Sequence, residues 1–168
     1  MDMAEPLPRM MASATPAPAL ARADGIERRA NERALGYWRE VAAPRRYPAF
    51  ADIDLDSLGD LREHLFVVEI GGSVEDYRMV AAGGVIADAF GRDPTGHRVA
   101  EVLPQKIRKQ SLYRQEMTAR LGTPLDETGH WVDESGAVVL YRSILLPLSD
   151  DQRHINYLLG AFSFRRAE

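Results

Sequence analysis

An α+β domain built on one five-stranded antiparallel sheet is the fold class that this chain of 168 residues predicts. Three observations point to it. Five runs rich in β-branched, aromatic and aliphatic residues stand at 65–70, 77–82, 128–133, 138–148 and 155–164, the composition that strands favour. The last three follow one another across polar turns, as hairpins do. Between the second and third runs, glycine and proline interrupt residues 83–96 too often for a long helix or strand, and a single long helical stretch, 105–121, comes after them.

Residues 1–24 are rich in Ala and Pro and read as a disordered tail. Pro6, Pro8, Arg9, Pro16 and Pro18 break any continuous apolar core, so the stretch is not a signal peptide. Residues 25–168 read as one domain, since the length falls in the range of about 100–200 residues for a single domain. It opens with an amphipathic helix over 26–41, capped by Asp24 and Gly25 and stopped by Pro44. Ile26, Ala30, Ala34 (or Arg33), Tyr37, Trp38 and Val41 recur at spacings of three and four, which puts them on one face. That face either covers the helix's own domain or pairs two copies. The two aromatics are the anchors for either contact. Trp38 is expected on the sheet, with Ile26 and Ala30 reaching the partner of a homodimer, and twofold pairing is the default.

Asp52, Asp54, Asp56, Asp60 and Glu63 imitate a calcium loop, but Ser57 stands where the sharp-turn glycine belongs and Gly59 where an apolar residue belongs. The better reading is a helix over 55–64, capped by Asp54, with Leu58, Leu61 and Leu65 as its stripe. Residues 65–70 are nearly all apolar and suit a strand covered on both faces. In the long helix, Ile107, Leu112 (or Ser111), Gln115, Thr118 and Leu121 approximate one face, and Gly122 and Pro124 end it. Gly136 suits a tight turn before the fourth strand.

The stretch AFGRDPTGHRVAEVLP, residues 89–104, resembles the helical connection of PAS domains, with an aromatic–glycine pair, a second glycine and a short apolar turn. The wider likeness runs from Tyr37-Trp38 through DIDLDSLGDLREHLFVVEI to LLPLSDDQRHINYLLGAF and covers 34–164. It is similar to a subfamily of small alphaproteobacterial PAS proteins. The resemblance implies the PAS sheet curled around a cavity, with the helical connection after strand two. It also implies a role in bacterial signal transduction, touching cell-cycle or stress regulation, and N-terminal helices that often pair two copies.

Composition and motifs exclude several chemistries. The chain has no cysteine, hence no disulfide, no thiolate nucleophile and no covalent flavin adduct of the kind some PAS folds form. No histidine falls on 105–121, so the haem-binding version lacks its helical ligand. No Gly-x-Ser-x-Gly elbow and no phosphate loop occurs. A net charge of −4 gives no general case for nucleic acid or an anionic membrane, and no apolar run is long enough to span a bilayer. Asp126, Glu127 and His130 form a metal or acid–base group on paper, but at a strand entrance they diverge. The expectation is a cytoplasmic protein without haem, covalent flavin, structural metal or other cofactor.

A small-molecule pocket is what remains. Alternation places Tyr77, Met79 and Ala81 on one side, and Tyr141, Ser143 and Leu145 likewise. Phe90, Met117 and Trp131 close the space; the alternative is that all nine fill a core. Three functions stay open. The first is a sensory or adaptor domain that works through a signalling protein and a small-molecule ligand. The second is a small enzyme whose base is Asp126 or Glu127, favoured by a carboxylate inside the pocket with a raised pKa. The third is a ligand-free interaction module with a filled core.

Overall fold

The computed structural model describes residues 17–167, with side chains from residue 29 onward. Residues 1–16 of the tail expected over 1–24, and the side chain of Ile26, therefore lie outside the described residues, while 17–24 are helical rather than disordered. The first helix, α1 (Ala17–Ala42), starts nine residues before Ile26, and Asp24 and Gly25 lie inside it rather than capping it. Pro18 sits in its first turn, where a missing N–H costs nothing, and the Ala-, Leu-, Arg- and Glu-rich sequence beyond sustains a helix.

Ala30, Ala34, Trp38 and Ala42 are all buried. They follow one another at intervals of four, and α1 packs this stripe on the sheet. Small residues let the helix lie close, and the Trp38 indole N–H donates to the carbonyl of Pro147 at 2.8 Å. Asn31 is buried beside the stripe, whereas Tyr37 and Val41 are half-buried. Ala30, expected to reach a partner, is thus spent on its own domain.

Residues Leu55–His64 do not form the expected α-helix. They make 3-10 turns broken at Gly59, whose φ of 58° and ψ of −132° interrupt the helical path. Asp54 makes no side-chain cap; its backbone N–H donates instead to the Tyr37 hydroxyl at 2.8 Å.

Strands β1 (Leu65–Glu69), β2 (Arg78–Ala82), β3 (Leu125–Val132), β4 (Val138–Leu148) and β5 (Tyr157–Ala167) form one sheet in the order β2-β1-β5-β4-β3, with every pair antiparallel. The five-stranded antiparallel sheet is the one expected. β3 begins at Leu125 rather than Thr128. Acidic residues disfavour strands locally, yet Leu125, Asp126 and Glu127 pair with Leu145, Ile144 and Ser143 of the longer β4. Between β2 and β3 come α2 (Gly84–Phe90), α3 (Val99–Val102) and α4 (Gln105–Leu121). Gly91 and Gly122, at φ 77° and 67°, close α2 and α4 in the left-handed conformation.

The sheet buries apolar side chains on both faces. Under α1 lie Leu61, Leu65, Val67, Ile144, Leu146, Leu148, Leu159 and Ala161. Under α2–α4 lie Phe66, Val68, Tyr77, Met79, Trp131, Tyr141, Leu145 and Phe162. A bulge shifts the β1–β2 register between Val67 and Val68. It breaks the simple alternation of β2: Met79 and Ala82 join the α2–α4 side, while Val80 and Ala81 both pack on the α1 side. Ala81 therefore does not share a face with Met79.

Candidate ligand cavity

Four elements bring side chains together between α4 and the sheet. On α4, Ser111 and Gln115 are one turn apart and both buried, so both face inward. Glu127 of β3 sits across from Ser143 of β4, and Gly129 sits across from Tyr141. Glu127, Tyr141, Ser143 and Leu145 share one face of the β3–β4 ribbon. Met79, Ile86, Phe90, Ile107 and Phe162 supply apolar wall. The cavity is partly open to solvent, and its volume of about 30 Å³ is room for about two waters.

Gly129 makes the polar cluster possible. A Cβ there would stand 2.8 Å from the Tyr141 hydroxyl oxygen and 2.9 Å from its ring. Without that carbon, the ring lies across the strand and its hydroxyl donates to Glu127 Oε2. Ser111 Oγ donates to the same oxygen at 3.2 Å, and Arg114 Nε stands 3.8 Å from Glu127 Oε1. Phe162 stacks on the Tyr141 ring, with centroids 5.6 Å apart and planes 19° apart. Trp131 supports the same ring from 5.5 Å.

Burial pushes the Glu127 carboxyl above the usual carboxylate range, against the opposing pull of Tyr141, Arg114 and Ser111. The Tyr141 hydroxyl is raised as well, first by burial and then by the neighbouring Glu127 charge. Both shifts favour a protonated, uncharged pair. Gln115 Oε1 is buried with no hydrogen-bond partner, an acceptor that water or a ligand would satisfy.

Of the nine residues expected to line a pocket, Met79, Phe90, Tyr141, Ser143 and Leu145 do so. Trp131 and Tyr77 are buried in the same core, 4% exposed each, but one layer behind the wall. Met117 does not face the cavity; Ser111 and Gln115 of the same helix do. Polar residues one turn apart on the otherwise apolar face of α4 were the available signal for these two. Glu127 lines the cavity, while Asp126 next to it is exposed, as strand alternation requires. No metal-holding group of three or more His, Cys, Asp or Glu occurs among the described residues, and no described helix is long and apolar enough to cross a membrane.

A family model described as PAS domain matches residues 26–163. Among solved structures, the chain is similar to the LOV domain of a blue-light-activated histidine kinase from Erythrobacter litoralis, at 15% identity and a TM-score of 0.49, over 62% of this chain and 96% of that one. It is also similar to the PAS domain of BvgS from Bordetella pertussis, at 17% identity and a TM-score of 0.46, over 63% and 78%. A PAS domain from Colwellia psychrerythraea aligns at 10% identity and a TM-score of 0.47, over 62% and 85%. No curated protein matches the chain.

Proposed function

From the premise that this chain belongs to the PAS domain family, whose members are sensory signal-transduction modules, we propose that it senses a small polar molecule in the cavity beneath α4 and relays the change to a partner protein. The observation that carries this reading is Gln115 Oε1, a buried acceptor left without a partner beside the cavity. A hydrogen-bond donor of about two-water size satisfies it, with Glu127 and Ser143 close by. The reading includes a cytoplasmic bacterial adaptor that performs no catalysis of its own. It also includes a homodimer, with pairing assigned to the part of α1 before Arg29, because Ala30 and Trp38 are already covered.

One observation favours an enzyme instead: a carboxylate inside the cavity, held above its ordinary range. Against it, Glu127 Oε2 already accepts two hydrogen bonds and Oε1 faces Arg114. A general base needs a free lone pair aimed at its substrate. Native mass spectrometry of protein purified from its own source decides among these readings. A small-molecule adduct that is lost on Gln115→Leu substitution supports the sensor. An adduct that returns chemically changed supports the enzyme. Ligand-free protein throughout supports an interaction module and overturns the sensor. The same spectra give the subunit count.

A further inference from the structure

The outward side of α4 carries a second pattern. Tyr113 and Leu121 are 61% and 60% exposed, and half-buried Met117 lies between them. Spaced four residues apart, the three make a stripe about 12 Å long at 1.5 Å rise per residue. Lys106, Lys109 and Arg120 fall on the same side by helical periodicity, and all are exposed. None of the three makes a hydrogen bond or ion pair with a described residue. The helix's other cations are engaged: Arg108 donates to the Leu103 carbonyl at 2.8 Å, and Arg114 turns to Glu127 and the Asp126 carbonyl. Glu116 is the only acid in α4. An apolar stripe flanked by unpaired cations therefore stands on a chain whose net charge is −4.

We infer that this face of α4 is a docking surface for an acidic amphipathic helix of a partner protein. The stripe is long enough to seat about two turns of a helix laid along it, and the free cations complement acids flanking that helix's apolar side. Three cations on an acidic chain are a poor match for a nucleic-acid backbone or an anionic bilayer, where many phosphates or headgroups must be neutralised together. A second copy of this chain fits less well. Its acid-rich segment, Leu55–His64, is broken at Gly59, and its Asp56 and Asp60 already pair with Arg62 and Arg33. The surface goes beyond the sensor reading and stands without it. Its position gives it a use there, since the opposite side of the same helix presents Ser111 and Gln115 to the cavity.

The test is fluorescence anisotropy of the full chain with a labelled synthetic peptide of about 18 residues, leucines on one helical face and glutamates on the rest. A scrambled peptide of the same composition serves as control. The inference expects binding at least about tenfold tighter than the scrambled peptide, weakened about tenfold by Lys106→Glu with Lys109→Glu and again by Tyr113→Ser with Leu121→Ser. All four positions are exposed, so melting temperatures should stay put. Backbone amide shifts on titration should centre on α4. Equal binding of the scrambled peptide, or unchanged binding by the variants, would overturn the inference. So would competition by a single-stranded oligonucleotide or by phosphatidylserine vesicles, or a wild-type dimer that Tyr113→Ser with Leu121→Ser turns into monomers by light scattering.

Discussion

The two faces of the sheet solve the same packing problem differently. Beneath α1, small residues and aliphatic side chains close the interface: Ala34, Val67, Leu146, Leu148, Leu159 and Ala161 have no exposure at all. Polar groups are few there: the Trp38 indole donates to the Pro147 carbonyl, and Asn31 Oδ1 is buried without a partner at the edge of the stripe. Beneath α4, the packing is aromatic and incomplete, with a cavity, a buried carboxylate and an unpaired amide oxygen. An interior at ordinary packing density leaves few voids larger than a water molecule. A face that keeps one, lined with polar groups, gives up stability that the other face supplies. The α1 side is the closely packed support, and the α4 side is the one that keeps open space.

The sharpest way to break the comparison uses neighbours on one strand. Leu145 lines the cavity and Leu146 points under α1. Leu146→Ala should cost about 3–5 kcal/mol by chemical denaturation, towards the upper end for a dry site that cannot collapse. Leu145→Ala should cost about 2–3 kcal/mol, because the new room joins space already shared with polar groups. Equal costs would mean that the two faces are packed alike.

Next in size is Tyr141→Phe. It removes a donor from the buried Glu127 carboxyl while keeping the ring, and should cost about 1–3 kcal/mol by the same measurement. A loss below about 0.5 kcal/mol would show that the hydroxyl contact does not matter to the cavity.

Glu127→Gln should behave in the opposite sense. Burial raises the carboxyl's pKa in the folded chain, so the folded state keeps a proton that the unfolded state has already lost. The wild type is therefore most favoured below the unfolded value and loses stability as pH rises towards the folded one. Gln mimics the protonated acid. Its melting temperature should exceed that of the wild type at pH 8, and the gap should close towards pH 4. A gap that widens on acidification would place a charged, stabilised carboxylate in the cavity.

The smallest effect belongs to the surface. Arg33 and Asp60 pair at 3.1 Å, but Asp60 is 88% exposed. Asp60→Asn should change stability by less than about 0.5 kcal/mol, so a larger loss would tie α1 to the 3-10 segment more firmly than water-screened charges allow.

What could be read from the sequence follows the reach of the forces involved. The bounds of α4 and β4 were legible because local signals mark them: Gly122 stops α4, and β4 runs between the Gly136 turn and the polar loop after Leu148, with Val138, Val139, Tyr141 and Ile144 among its strand-favouring residues. The start of α1 was hidden, since Asp24 and Gly25 look like a cap while the Ala-rich residues before them continue the helix. The bulge in the β1–β2 pair depends on two strands at once, and it moved Ala81 to the other face. Glu127 looked like a polar residue at a strand entrance. Its burial comes from α4 lying over it, a contact between residues 16 apart. The loss of Met117 from the cavity is a matter of helical angle: Gln115 and Thr118 are buried, and Met117 between them is turned away.

The placement of the two tryptophans has a practical consequence. The chain has only two. Trp38 is fixed under α1, and Trp131 leans on Tyr141 and Phe90 behind the cavity. Each face of the sheet thus contains its own intrinsic fluorophore, in a different electrostatic setting and with no third indole to blur the signal. Replacing either by phenylalanine leaves a chain whose emission reports one side at a time. Wavelength and quenching would then show whether filling the cavity is felt locally at Trp131 or carried through the sheet to the indole beneath the first helix.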